Sequence, residues 1–144
     1  MFKKIAIAYD ESPASEHALT AAISLAAALG STLRIITVVE SQPSYVNISL
    51  AVDPTLPSRL QDERRERLKQ IQTLAIRHAA DVNVSADSVL VDGPEVDTIL
   101  AEVNAYSAEL LVVGLSQRHG GVGEFISTVH RIGLHVPCPV LAVH

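Results

Sequence analysis

Five short apolar segments alternate with longer segments of helical periodicity, and this alternation limits the possible folds more than any other feature of the chain. The apolar segments are Lys4–Tyr9, Leu33–Val39, Ser88–Val91, Leu110–Val113 and Val140–Val143. Short runs of this kind, several of them rich in β-branched residues, are typical of buried strands. Strands that alternate with helices form right-handed crossovers and a parallel sheet. We therefore predict a single-domain α/β protein with a five-stranded, doubly wound parallel sheet.

The first predicted helix begins and ends at recognisable signals. Ser12 can cap its N-terminus with a side-chain oxygen, Pro13 suits the first helical position, and Gly30 suits a left-handed stop. Apolar residues recur between these signals at Leu19, Ala22, Ile23, Ala26 and Leu29, which predicts one buried face. Gly93-Pro94 leads into a later helix, and the last helix is predicted to begin at about Glu124.

Residues 40–57 interrupt this pattern with prolines, serines and an asparagine, so we predict a long loop of the kind that often covers a ligand. Ser58 and Gln61 resemble a capping box at the start of the second helix. The buried stripe of that helix is predicted at Leu60, Leu68, Ile71, Leu74 and Ala75. Residues 62–67 mix acidic and basic side chains, and we favour a solvated face with ion pairs one turn apart over a binding surface.

Composition excludes several classes of protein. The chain has 144 residues and one cysteine, Cys138, so we expect one domain without an internal disulfide or a thiolate metal cluster. A net charge of -5 and an aromatic content of 3% argue against nucleic acid as a partner. No apolar run reaches the roughly 18 residues of a membrane span, and the opening segment predicts a strand rather than a signal peptide. We expect a cytoplasmic protein with no membrane partner.

Three segments follow or end predicted strands at the edge of the sheet where ligands bind in this fold class. They are Asp10 after the first strand, residues 38–40 at the end of the second, and the glycine-rich loop 114–123 after the fourth. An acidic side chain accepts hydrogen bonds from a ligand hydroxyl or amine, and a glycine loop at a helix start exposes N–H groups to phosphate. Together these features suit a nucleotide.

Each feature also has a purely structural interpretation. Asp10 is equally well explained as a turn or helix-capping carboxylate, and the glycines as a flexible connector. Arg118 and His119 add positive potential beside the loop, yet both also fit solvated loop positions.

Catalytic motifs are absent from the sequence. The chain has no Gly-x-Ser-x-Gly elbow, no Gly-x-x-x-x-Gly-Lys-Ser/Thr loop and no Gly-x-Gly-x-x-Gly after the first strand. Its histidines do not show the spacing of metal ligands. We expect no catalytic residue and no zinc-type site.

Residues 3–12, KKIAIAYDES, resemble the opening of the universal stress protein family, in which a strand ends in Val-Asp-Gly-Ser. Residues 110–114 and 136–143 resemble the fourth strand and the characteristic ending of that family, and the likeness runs in order along nearly the whole chain. The resemblance implies a universal stress protein domain over residues 1–144, with loop 40–57 as a variable segment. It further implies a Rossmann-like or flavodoxin-like sheet of strand order 3-2-1-4-5 between about four helices, and a homodimer that pairs the last strand, Val140–Val143.

The resemblance also implies an adenine nucleotide, ATP or AMP, with Mg²⁺ only alongside ATP and at most slow hydrolysis of ATP. Asp10 would bind the ribose or base, Val38 and Val113 would wall the adenine, and Ser127 and Thr128 would bind phosphate with nearby backbone N–H groups. The full set of residues expected around the nucleotide is Ala8, Tyr9, Asp10, Val38, Val113, Gly114, Arg118, Gly120, Gly123, Ser127 and Thr128.

The glycine pattern of the phosphate loop is altered in this chain. Nucleotide-binding members of the family carry Gly-x-x-Gly after the fourth strand and Gly-Ser or Gly-Thr further on. Gly114 matches the first glycine, but Gln117 takes the place of the second and Ile126 stands before Ser127. A β-carbon at Ile126 crowds a backbone that must approach phosphate closely. Two functions therefore stay open: a dimeric stress-response sensor or regulator that binds an adenine nucleotide, and a dimeric interaction module with a vestigial cleft.

Overall fold

The computed structural model describes residues 1–40, 53–115 and 128–144 in full and residues 122–127 as backbone. These residues form five strands and four helices. The strands are β1 (Lys4–Ala8), β2 (Thr32–Val39), β3 (Ala86–Asp92), β4 (Leu110–Gly114) and β5 (Val140–Val143). The helices are α1 (Pro13–Leu29), α2 (Leu56–Asp81), α3 (Glu95–Tyr106) and α4 (Val122–His135). None of these helices is long and apolar enough to cross a membrane.

All neighbouring strands are parallel and lie in the order β3-β2-β1-β4-β5, which confirms the predicted sheet. In the middle of the sheet Ala8 pairs with Ile36 of β2 on one side and with Val113 of β4 on the other. The chain first builds outward from β1 to β3 and then returns to β4 and β5. Because the direction of building reverses beside β1, the carboxyl ends of β1, β2 and β4 form the edge where ligands bind in such sheets.

Two hydrophobic cores cover the two faces of the sheet. The first lies under α1 and α2 and includes Ile5, Ile7, Leu33, Ile35, Ala18, Ala22, Ala75 and Ala79. The second lies under α3 and α4 and includes Ala6, Ile36, Leu111, Val113, Ile99, Val103 and Ile132. Successive strand residues enter opposite cores, as the two-residue period of a strand requires.

The structure confirms the predicted signals at both ends of helix α1. The Oγ of Ser12 accepts a hydrogen bond from the backbone N–H of Ser15 at 3.2 Å, and Gly30 ends the helix in the left-handed conformation with φ 63°. A side chain rarely adopts that φ value, which explains glycine at this stop. One residue of the predicted face, Leu29, is exposed at the end of the helix.

Helix α2 differs from the prediction in its start and in its buried stripe. It begins at Leu56 rather than at a capping box, and the Oγ of Ser58 donates a hydrogen bond back to the carbonyl of Thr55 at 3.2 Å. Leu60 and Leu74, predicted as buried, are 42% and 60% exposed. The helix has 26 residues and is about 39 Å long, whereas the eight residues of β2 span only about 26 Å. Helix α2 is therefore longer than the strands that it covers.

Candidate functional site

The carboxyl edge of the sheet brings several of the predicted site residues to one place. Ala8 and Gly114 end β1 and β4, and Val38 is the penultimate residue of β2. Asp10 follows β1, the central strand, two residues beyond its end. The loop predicted over residues 40–57 begins at this edge, and residues 41–52 lie outside the described part of the chain.

Asp10 has both a turn role and an exposed carboxylate. Its Oδ1 accepts a hydrogen bond from the backbone N–H of Ser12 at 2.7 Å, and its own N–H donates to the Oγ of Ser15 at 2.8 Å. The structural interpretation of Asp10 therefore holds for one oxygen. The side chain is exposed, and Oδ2 has no hydrogen-bond partner among the residues that the structure describes. One carboxylate oxygen is thus available at the edge of the central strand.

Tyr9 faces the α1 side of the sheet. Its side chain is buried, and its hydroxyl donates a hydrogen bond to Glu16 in the first turn of α1. Burial, followed by the bond and charge of Glu16, raises the pKa of the Tyr9 phenol, so the hydroxyl stays protonated at neutral pH. The backbone N–H of Tyr9 donates to the carbonyl of Ile36 at 2.9 Å. The ring of Tyr9 therefore packs into the core under α1.

Val38 and Val113 face the opposite core. Val113 is buried in the cluster under α3 and α4, and Val38 is half-buried against the same cluster, as is Ala8. Val38 and Ala8 thus lie on one face of two neighbouring strand ends. That arrangement provides a short apolar surface at the same edge of the sheet as Asp10.

Gly114 has a packing role that the sequence does not indicate. A β-carbon at this position would lie 2.5 Å from the carbonyl carbon and oxygen of Ala14 and 2.8 Å from the backbone nitrogen of Ser15. The end of β4 therefore touches the first turn of α1, and only glycine allows this approach.

The phosphate side of the predicted site is described in part. Arg118 and Gly120 lie outside the described residues, and Gly123 and Ser127 belong to the described backbone of α4. Thr128 is half-buried in the second turn of that helix. The helix begins at Val122, two residues before the predicted start at Glu124.

Two site-edge arginines were missed by reasoning from sequence. Arg65 forms an ion pair with Asp92 at the end of β3, and Arg67 forms one with Glu11 next to Asp10. These partners lie on other elements, whereas the sequence pattern predicted ion pairs one turn apart within the helix. The available signal was the position of Arg64 and Arg65, which continue the inward stripe of Leu68 toward the helix start.

The described part of the chain was also searched for groups of side chains that could bind a metal ion. Within residues 1–40, 53–115 and 128–144, no three His, Cys, Asp or Glu side chains come together as potential metal ligands.

The fold and its edge define a class: doubly wound α/β domains with a ligand edge at the carboxyl ends of the strands. A family model, the universal stress protein family, matches residues 1–144, and the chain belongs to that family. A universal stress protein of Thermus aquaticus is 30% identical over 145 residues, which is 99% of each chain. UspA of Lactobacillus plantarum has the same fold, with a TM-score of 0.82 and 21% identity over 99% of this chain and 98% of that one.

Two further structures of similar fold contain nucleotides. One is a universal stress protein in complex with cAMP, with a TM-score of 0.71 and 22% identity over 99% of this chain and 97% of that one. The other, from Archaeoglobus fulgidus, is in complex with dAMP, with a TM-score of 0.65 and 16% identity over 99% and 98% of the two chains. At these identities the likeness concerns the fold.

Proposed function

We propose that this chain binds an adenine nucleotide at the carboxyl edge of the sheet and acts as a dimeric sensor or regulator in the stress response. The nucleotide, rather than a chemical reaction, is the signal, and hydrolysis of ATP is slow at most. Asp10 binds the ribose or base, and the apolar surface of Ala8 and Val38 lies against the adenine.

The observation that carries this proposal is the exposed carboxylate of Asp10 at the reversal point of the sheet. Its Oδ1 is fixed by the N–H of Ser12, so the second oxygen is held in one orientation at the edge. A carboxylate with a free oxygen accepts hydrogen bonds from a ribose hydroxyl or an exocyclic amine. Family members of the same fold with bound cAMP and dAMP support an adenine ligand.

Calorimetric titration with ATP, AMP and cyclic AMP tests the proposal, after a check by absorbance and mass spectrometry for nucleotide retained through purification. We expect saturable binding that weakens at least tenfold in Asp10→Asn, because one amide oxygen replaces the charged acceptor. Asp81→Asn, an exposed carboxylate at the far end of α2, is the matched control and keeps wild-type affinity.

Wild-type protein without retained ligand and without measurable binding would refute nucleotide binding. That result favours the second function, an interaction module with a vestigial cleft, which the replacement of two family glycines by Gln117 and Ile126 also favours.

The proposed dimer pairs β5 with its copy. Strand β5 is an edge strand, Leu141 on it is 38% exposed, and Leu134 of the preceding helix is 65% exposed. An open strand edge flanked by exposed apolar side chains favours pairing with another strand. Sedimentation equilibrium at micromolar concentration should give twice the chain mass, and Ala142→Pro, which blocks strand pairing, should give the monomer. A monomeric wild type contradicts the dimer and leaves nucleotide binding to be judged by calorimetry.

A further inference from the structure

Two ion pairs attach the first half of helix α2 to the carboxyl edge of the sheet. Arg65 pairs with Asp92, the last residue of β3, and Arg67 pairs with Glu11 in the turn after β1. Residues 65 and 67 are about 200° apart around the helix, because successive residues turn by about 100°. The two arginines therefore leave opposite flanks of α2. Strand β2 lies between β3 and β1, so the two pairs attach α2 to the elements on either side of β2.

Arg67 and Glu11 are joined by two hydrogen bonds. The Nε of Arg67 donates to Oε1 of Glu11, and its Nη2 donates to Oε2 at 3.4 Å. Paired hydrogen bonds between a guanidinium and a carboxylate fix the relative orientation of the two side chains. The family opening Val-Asp-Gly-Ser has glycine at the position of Glu11, and glycine has no side chain that could make this contact.

Glu11 belongs to the turn that orients the carboxylate of Asp10. The N–H of Asp10 donates to the Oγ of Ser15 in α1, and Oδ1 of Asp10 accepts from the N–H of Ser12. The ring that the second hydrogen bond closes includes the backbone of Glu11, so a rotation there moves both groups of that bond. The turn is thus held from α1 through Ser15 and from α2 through Arg67.

The hydrogen bond within the turn is exposed to solvent. Water competes for exposed hydrogen bonds, so such a bond by itself orders a turn only weakly. The second oxygen of Asp10 has no partner among the described residues, and its direction depends on the order of this turn. An attachment to a second helix limits the conformations that the turn can adopt.

We propose that Arg67 is a positioning residue for the nucleotide: through Glu11 it holds the turn, and with it the carboxylate of Asp10, in the orientation that binds the ligand. This inference rests on the proposed function and makes α2, which has no proposed ligand contact, a determinant of affinity. Both side chains of the pair are exposed, and exposed ion pairs contribute little, so we expect its loss to weaken binding about two- to fivefold.

Titrations of wild type, Glu11→Gln and Arg67→Gln with AMP test the inference. Each substitution removes the ion pair, so each should weaken AMP by about two- to fivefold. The two substitutions change the charge in opposite directions. A direct effect of charge on the phosphate would therefore strengthen binding in Glu11→Gln and weaken it in Arg67→Gln, whereas loss of positioning weakens it in both.

Two combined variants sharpen this test. The double variant Glu11→Gln, Arg67→Gln should bind AMP no more weakly than either single variant, because one interaction is lost in all three. The reversed pair, Glu11→Arg with Arg67→Glu, should recover part of the lost affinity, since the opposite charges face each other again.

Arg34→Gln is the matched control. It breaks the ion pair with Asp87, which also joins two elements but lies at the amino end of the sheet, and it should bind AMP like wild type. A second measurement needs no ligand: exchange of the Ser12 amide hydrogen, followed by NMR. Exchange should be faster in Glu11→Gln and Arg67→Gln than in wild type, and unchanged in Arg34→Gln, because this N–H is bonded only while the turn is ordered.

The outcomes separate this inference from the proposed function. If wild type binds AMP and Arg67→Gln binds it equally well, the inference is wrong and nucleotide binding stands. Opposite changes in the two single variants would assign the effect to charge and would also overturn it. Unchanged exchange of the Ser12 amide in both variants would contradict the positioning role whether or not nucleotide binds. If wild type binds no nucleotide, both proposals fail.

Discussion

The close contact between β4 and α1 makes Gly114→Ala the most informative single substitution. The new methyl carbon would lie 2.5 Å from the carbonyl group of Ala14 and 2.8 Å from the nitrogen of Ser15. Carbon atoms in ordinary contact are about 3.5–4 Å apart, so the strand end and the helix start must separate by roughly 1 Å. All three contacted atoms belong to the backbone and cannot rotate away.

The first turn of α1 resists this separation. The N–H of Asp10 donates a hydrogen bond to the Oγ of Ser15 at 2.8 Å, and the hydroxyl of Tyr9 donates one to Glu16. These hydrogen bonds connect the first turn of α1 to the residues that follow β1. Overpacking in a well-packed region typically costs about 1–3 kcal/mol. Because the obstruction is backbone on both sides, we expect Gly114→Ala to lower the free energy of unfolding by about 3 kcal/mol.

Urea unfolding followed by circular dichroism measures this loss, with an unchanged slope as evidence that the unfolded state is the same. Gly133→Ala is the matched control. Gly133 lies inside α4, and a β-carbon there would meet no atom within 4 Å. Alanine is the better helix former, so this variant should gain about 0.5–1 kcal/mol. A Gly114→Ala protein within about 0.5 kcal/mol of wild type would refute the packing argument.

Three further predictions concern single side chains. Ser12→Ala removes the cap bond to Ser15 and should cost about 1 kcal/mol in the same urea assay. The hydrogen bonds from Arg34 lower the pKa of Asp87, so this pair stabilises the protein above about pH 4 and ceases to do so as the pH falls through the folded-state pKa. Asp87→Asn should therefore lose less than about 1 kcal/mol at neutral pH, and this deficit should shrink as the pH falls, so that an equal deficit at every pH would contradict the ion pair. Burial raises the pKa of the Cys138 thiol, so iodoacetamide should react more slowly with native than with urea-unfolded protein, and equal rates would contradict this.

The resemblance in the sequence predicted the universal stress protein family and the five-stranded parallel sheet, and both predictions are confirmed. Only some of the residues predicted to contact the nucleotide belong to the described part of the chain. Asp10 and Val38 lie at the same edge of the sheet, while Arg118 and Gly120 lie outside the described residues. The roles of these residues stay predictions that the titrations above address.

The amino-acid sequence by itself determined the succession of strands and helices along the chain and both ends of α1. Those features depend on local physics: strand-forming apolar runs, the capping oxygen of Ser12 and the left-handed stop at Gly30 act within a few residues of one another.

Only the tertiary structure decided which charged side chains form ion pairs and which backbone segments come into close contact. Arg65 and Asp92 are 27 residues apart, Arg67 and Glu11 are 56 apart, and no local pattern connects such pairs. The exposure of Leu74 and the packing need for Gly114 have the same origin, because each depends on the element that lies opposite.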